Sequence, residues 1–111
     1  MAGLLDGAKT FIAGGGISVG RACVEVFQRE GAQVAFLEID PARTEAVVEA
    51  TGALGYTVDI SDREAAQAAI DDAASKMGGL TALVNIASHM EGGRVLDTTE
   101  AQIDRMVEVN I

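Results

Sequence analysis

The stretch from Lys9 to Asp40 constrains the fold of this chain more than any other. Lys9-Thr10-Phe11-Ile12-Ala13 is a short apolar run suited to a strand covered on both faces. A glycine-rich segment follows, Gly14-Gly15-Gly16-Ile17-Ser18-Val19-Gly20, and then a helical run that reaches Glu30. After Gly31, a natural left-handed cap, Gln33 to Glu38 reads as a second strand with an acid at its tip. Strand, tight turn, helix, strand and terminal acid make the front half of a dinucleotide-binding unit. Such a turn aims the helix N-terminus, with its free N–H groups and positive dipole end, at a pyrophosphate. The acid is placed to accept hydrogen bonds from a ribose.

The 111 residues are expected to form one dinucleotide-binding domain, 1–111, with a single core. A chain of this size buries roughly two thirds of its unfolded surface. A net charge of −9 and a pI near 4.3 argue against nucleic acid or an anionic membrane as partner, since both need a basic face. The lone Cys23 cannot close an internal disulfide, and its place on the first helix suggests packing. No basic, apolar leader and no 18-residue apolar segment is present, so a cytoplasmic location is the expectation. His89 is the only histidine, and without a second His or Cys cluster no metal site is expected.

Beyond the opening unit the pattern keeps alternating. Residues 1–8 form a lead-in with a turn at Asp6-Gly7. Apolar residues at Val19, Ala22, Cys23, Val26 and Phe27 give the first helix one packing face. Asp40-Pro41 starts a second helix that ends at Gly52, and Gly55 to Asp59 is a third strand. Ser61 and Glu64 form a capping box for an alanine-rich helix that runs to Met77 and stops at Gly78-Gly79. Leu80 to Asn85 is the fourth strand, and residues 86–98 are loop. Thr99 and Gln102 form a second capping box, and Ile103, Met106, Val107 and Asn110 share one face of the helix it opens. Strands alternating with helices predict an α/β fold, a Rossmann-type parallel sheet with helices on both sides. Right-handed crossovers that reverse after the third strand give the order 3-2-1-4, with a ligand crevice at the carboxyl ends of strands 1 and 4.

The motifs in this succession resemble those of the short-chain dehydrogenase/reductase family. Ala13 to Gly20 resembles the family's Thr-Gly-x-x-x-Gly-x-Gly turn: Gly14 and Gly20 match, Ser18 stands at the middle glycine and Ala13 at the usual Thr. The resemblance implies cofactor contacts for Gly14, Ser18, Val19, Gly20 and Glu38, the last holding the adenosine ribose. Asp59-Ile60 resembles the pair beside the adenine ring, and Asn85-Ile86-Ala87-Ser88 resembles the Asn-Asn-Ala-Gly stretch after the fourth strand. Asn110 matches the asparagine of the family's catalytic tetrad. The implied activity is hydride transfer between a nicotinamide cofactor and a small alcohol or ketone.

Ser18 adds a Cβ and a hydroxyl where close approach to the pyrophosphate is wanted, with Gly16 beside it to let the loop shift. Glu38 repels a 2′-phosphate and Ile39 brings no cation to receive one, which favours NAD over NADP; Arg21 is the counter-signal. The family's catalytic Ser and Tyr-x-x-x-Lys have no counterpart in these 111 residues, where Tyr56 is the only tyrosine and Lys9 and Lys76 the only lysines. The expectation is therefore an N-terminal cofactor-binding portion, truncated before the fifth strand, that binds but does not turn over substrate. A non-enzymatic nucleotide-binding module and a different Rossmann protein such as a methyltransferase are the alternatives. An unpaired outer edge on the fourth strand predicts self-association into a homo-oligomer.

Overall fold

A computed structural model describes residues 3–111. Four parallel strands, β1 (Lys9–Ala13), β2 (Gln33–Glu38), β3 (Leu54–Thr57) and β4 (Ala82–Asn85), form one sheet in the order β3-β2-β1-β4. The predicted order and direction hold. β3 and β4 are shorter than the apolar runs suggested, beginning at Leu54 rather than Gly55, ending at Thr57 rather than Asp59, and starting at Ala82 rather than Leu80. The register pairs Ala13 with Leu37 and with Asn85, and Glu38 with Thr57, so the carboxyl ends of the strands form one edge.

Strand period divides the core in two. Phe11, Ala13, Ala35 and Leu37 face α3 (Arg63–Met77), packing on Ala69, Ala73 and Met77. Ile12, Val34 and Phe36 point the other way, with Val24 of α1 (Ser18–Arg29) and Val47 of α2 (Pro41–Thr51). Continuous apolar strands are what a sheet covered on both faces requires. Thr10 is the polar exception in β1, and its buried hydroxyl donates to the Gln33 carbonyl.

The helix boundaries follow local chemistry. Asp40 caps α2 through the Ala42 N–H, and Gly52 ends it in the left-handed region at φ 72°. Gly78 does the same for α3 at φ 75°. The Ser61–Glu64 capping box is corrected: Asp62 is the cap, accepting from Ala65 N–H, because the Ser61 hydroxyl is engaged elsewhere. α4 (Glu100–Asn110) does open on the predicted box between Thr99 and Gln102. A single 3₁₀ turn, Val95–Asp97, interrupts the preceding loop.

Two helix faces differ in phase from the apolar pattern. In α1 the inward residues are Gly20, Cys23, Val24 and Phe27, while Val19 is 60% exposed. The side that packs is set by the smallest residue, because Gly20 lets the helix approach the turn, and a hydrophobicity pattern gives glycine no weight. In α4 the more covered positions are Gln102, Arg105, Met106 and Val109, whereas Ile103 and Val107 are exposed. Polar anchors, described below, orient that helix.

Candidate functional site

The glycine turn is stitched to the neighbouring strands. The N–H groups of Gly14 and Gly15 both donate to the Leu37 carbonyl at 2.9 and 3.1 Å, and the Ala13 carbonyl accepts from Ile86 and Ala87. Gly14 has φ 96°, and a Cβ there would lie 2.7 Å from the Ala87 nitrogen. At Gly20 a Cβ would fall 1.7 Å from the Gly14 carbonyl oxygen, so helix and turn touch through backbone. The first N–H to close the helix is that of Arg21, onto Ile17, which leaves the N–H groups of Ser18, Val19 and Gly20 for a ligand. Ser18 itself has φ 55°, the only positive φ of a non-glycine residue among those described. A side chain thus occupies a left-handed position that glycine adopts without strain.

Across the turn, the Glu38 side chain is 5% exposed and accepts from the Asp40 N–H at 3.1 Å. A Cβ on Gly16 would sit 2.2 Å from Glu38 Oε1. Gly16 therefore makes room for this carboxylate, a tighter role than the loop adjustment expected of it.

A cavity of about 390 Å³ opens at this edge, within the size range of small-ligand sites. Of the residues expected to hold cofactor, Gly14, Ser18, Val19, Glu38, Asp59, Ile60 and Ala87 line it. Gly20 lies beneath the turn rather than on the wall, and Asn85 is exposed outside it. Arg21 is paired with Glu25 at 3.1 Å and is not on the wall; the cations that are there are Arg43, 3.7 Å from Asp40, and Arg105.

Two polar contacts from α4 lie outside the apolar pattern of that helix. Arg105 donates from Nη1 to Ser61 Oγ at 2.8 Å and from Nη2 to Asp59 Oδ2 at 3.0 Å. Ser61 also donates its N–H and hydroxyl to Asp59 Oδ1, at 3.0 and 2.7 Å. The Ser61 hydroxyl chiefly holds the Asp59 carboxyl below its ordinary range, helped by the Ser61 N–H and Arg105 and opposed by partial burial. In the last turn of the helix, Asn110 brackets the backbone of His89, a wall residue. The available signal was helical period: Gln102, Arg105, Met106 and Val109 fall at i, i+3, i+4 and i+7.

Tyr56 lies away from the cavity. Its hydroxyl donates to Asp72 Oδ2 at 2.6 Å, and Lys76 pairs with the same oxygen at 3.0 Å. Lys9 reaches the Gly78 carbonyl. Among the described residues no helix is long and apolar enough to cross a membrane.

Residues 14–111 match the family model described as enoyl-(acyl carrier protein) reductase. The chain is 36% identical over 106 residues to the probable galactose dehydrogenase GalD of Rhizobium meliloti, covering 90% of this chain and 41% of that protein. It is 35% identical over 105 residues to the probable oxidoreductase EphD of Mycobacterium tuberculosis, covering 90% of this chain and 18% of the relative. A short-chain dehydrogenase/reductase from Serratia marcescens superposes with a TM-score of 0.90 at 34% identity, over 96% of this chain and 46% of its own. The 3-ketoacyl-(acyl-carrier-protein) reductase of Brucella melitensis, solved in complex with NADH, gives 0.90 at 31% identity and the same coverages. The chain thus spans less than half the length of these relatives.

Proposed function

The chain belongs to the short-chain dehydrogenase/reductase family, and from that premise we propose that its residues form the adenosine and pyrophosphate side of an NAD site in an oxidoreductase acting on an alcohol or ketone. The observation that carries this reading is the buried Glu38 carboxylate, held against the glycine turn across one cavity from the open N-terminus of α1. A dinucleotide needs an acceptor for ribose hydroxyls and donors for its phosphates, and these two features supply both. The close approaches at Gly14, Gly16 and Gly20 fit such a ligand, because each added Cβ would disturb the cradle.

In this reading the N–H groups of Ser18, Val19 and Gly20 bind the pyrophosphate. Glu38 accepts from the adenosine ribose, Asp59 and Ile60 flank the base, and Ala87 continues the wall toward the nicotinamide, with Asn85 outside the cavity. Bound there, the nicotinamide ring supplies hydride chemistry. A 2′-phosphate beside Glu38 would place two anions together, so NAD is preferred to NADP. The NADH complex of the Brucella melitensis reductase supports this choice. Asn110 matches the family's tetrad residue, and here it would act by holding the His89 segment of the wall.

Proton transfer to a substrate carbonyl is assigned to no residue of this chain, since Tyr56 and both lysines lie outside the cavity. Nucleotide binding without turnover is the second reading. The outer edge of β4, where Leu83 is 63% exposed, and the apolar side of α4 at Ile103 and Val107 support self-association. Titrating the chain with NADH and NADPH, followed by nicotinamide fluorescence, tests the proposal. NADH should bind, and NADPH about tenfold or more weaker, with the gap closing in Glu38→Gln. Binding of neither would overturn the reading, and sedimentation as a monomer at tens of micromolar would remove the self-association.

A further inference from the structure

Resting on the nucleotide reading above, we propose that Arg105 is a positioning residue for the base end of the cavity, holding the Asp59 carboxylate so that it accepts the exocyclic amino group of an adenine. Arg105, Asp59 and Ser61 form a closed ring across 46 residues of sequence. Ser61 engages one carboxylate oxygen twice, through its N–H and its hydroxyl. Those bonds hold Oδ1 and leave the rest of the group able to swing about it. The Arg105 fork stops that swing by donating to Oδ2 and, through its other nitrogen, to the Ser61 hydroxyl oxygen.

A carboxylate oxygen offers about two acceptor directions, and Arg105 takes one at Oδ2. The remaining one belongs to a residue on the cavity wall and calls for a donor. An adenine presents an amino group at that position of the ring, whereas a hypoxanthine presents a carbonyl oxygen that the carboxylate repels. Guanidinium geometry suits the task, because a planar fork spans two acceptors where an ammonium meets them as a point charge.

Arg105 also neutralises the Asp59 charge, so its loss would weaken any anionic ligand. The ratio of two ligands of equal charge separates positioning from that effect. Calorimetric titration of the full 111-residue chain with ADP-ribose and its hypoxanthine counterpart reads the ratio directly. The parent is expected to prefer adenine by about tenfold, the value of one hydrogen bond to a charged group. Arg105→Ala should bring the ratio near one, and Arg105→Lys should restore part of it.

A ratio kept at the parent value in Arg105→Ala overturns the proposal, including the case where both affinities fall together through a merely structural or charge role. Arg105→Gln keeps part of the stem and one amide donor group without the charge or the fork, and a parental ratio there overturns the proposal even if Arg105→Ala fails to fold. A parent that binds both ligands without preference defeats this inference and leaves the nucleotide reading standing. A parent that binds neither defeats both.

Discussion

The Asn110 carboxamide grips the His89 peptide from both sides: Nδ2 donates to the His89 carbonyl at 2.8 Å and Oδ1 accepts from the His89 N–H at 2.8 Å. This pairs the last turn of α4 with the loop that follows β4, 21 residues earlier. Together with Arg105, about one and a half turns earlier in α4, it docks a helix whose apolar side is largely exposed. Asn110→Ala should cost about 1–2 kcal/mol through the loss of two hydrogen bonds. Asn110→Asp should cost more, because it sets a carboxylate oxygen against the His89 carbonyl. Urea denaturation gives the stability, and faster exchange of the His89 amide localises the loss. Parental protection at His89 in both variants would contradict this account.

Ser18 holds a left-handed backbone at φ 55° on the cavity wall. Replacing it with glycine removes a strain of about 1–2 kcal/mol and returns part of it through the freer unfolded chain. Ser18→Gly should therefore gain about 0.5 kcal/mol and bind NADH more tightly, whereas the β-branched Ser18→Val should lose stability. Unchanged NADH affinity in Ser18→Gly would show that this side chain does not matter to the phosphate.

Gly20 and Gly52 separate close approach from backbone strain. A Cβ on Gly20 would meet the Gly14 carbonyl oxygen at 1.7 Å, and no side-chain rotation relieves a backbone clash. Gly52 has φ 72° but nothing within 4 Å of its would-be Cβ. Gly20→Ala should cost about 3 kcal/mol or more, and Gly52→Ala about 1 kcal/mol. Comparable denaturation midpoints for the two variants would rule out the packing role assigned to Gly20.

Partial burial first, and then the hydrogen bond and charge of Asp72, push the Tyr56 hydroxyl from its ordinary 10.0 up to about 12. The folded state thus holds this proton more tightly than the unfolded one. The resulting stability is fully present below pH 10 and is lost as pH rises toward 12. Tyr56→Phe should unfold with a shallower alkaline slope than the parent over that window. Identical slopes would mean the hydroxyl does not feel Asp72 in solution.

Much of the fold was legible because its signals are local. Alternating apolar periods of two and 3.6 separate strand from helix, and Asp40, Gly52 and Gly78 mark helix ends through their own backbone chemistry. Crossover handedness then restricts the strand order to β3-β2-β1-β4. Sequence and structure part where two local patterns compete. Both Val19-Ala22-Cys23-Val26-Phe27 and Gly20-Cys23-Val24-Phe27 satisfy a helical stripe, and contact with the turn chose the second, which keeps Cys23 and Phe27. Ser61 was an equally good cap and partner for Asp59, and the nearness of Arg105 favoured the latter.

The sequence by itself determined that a glycine turn would follow a buried strand and that an acid would end the next one, because both depend on neighbours a few residues apart. Only the tertiary structure decided that Gly16 would shelter the Glu38 carboxylate, that Arg105 would close on Asp59, and that Asn110 would hold His89. Those meetings join segments 21 to 46 residues apart. Which side chain arrives there is set by the path of the intervening loops and the docking of α4, a long-range outcome that no local periodicity encodes.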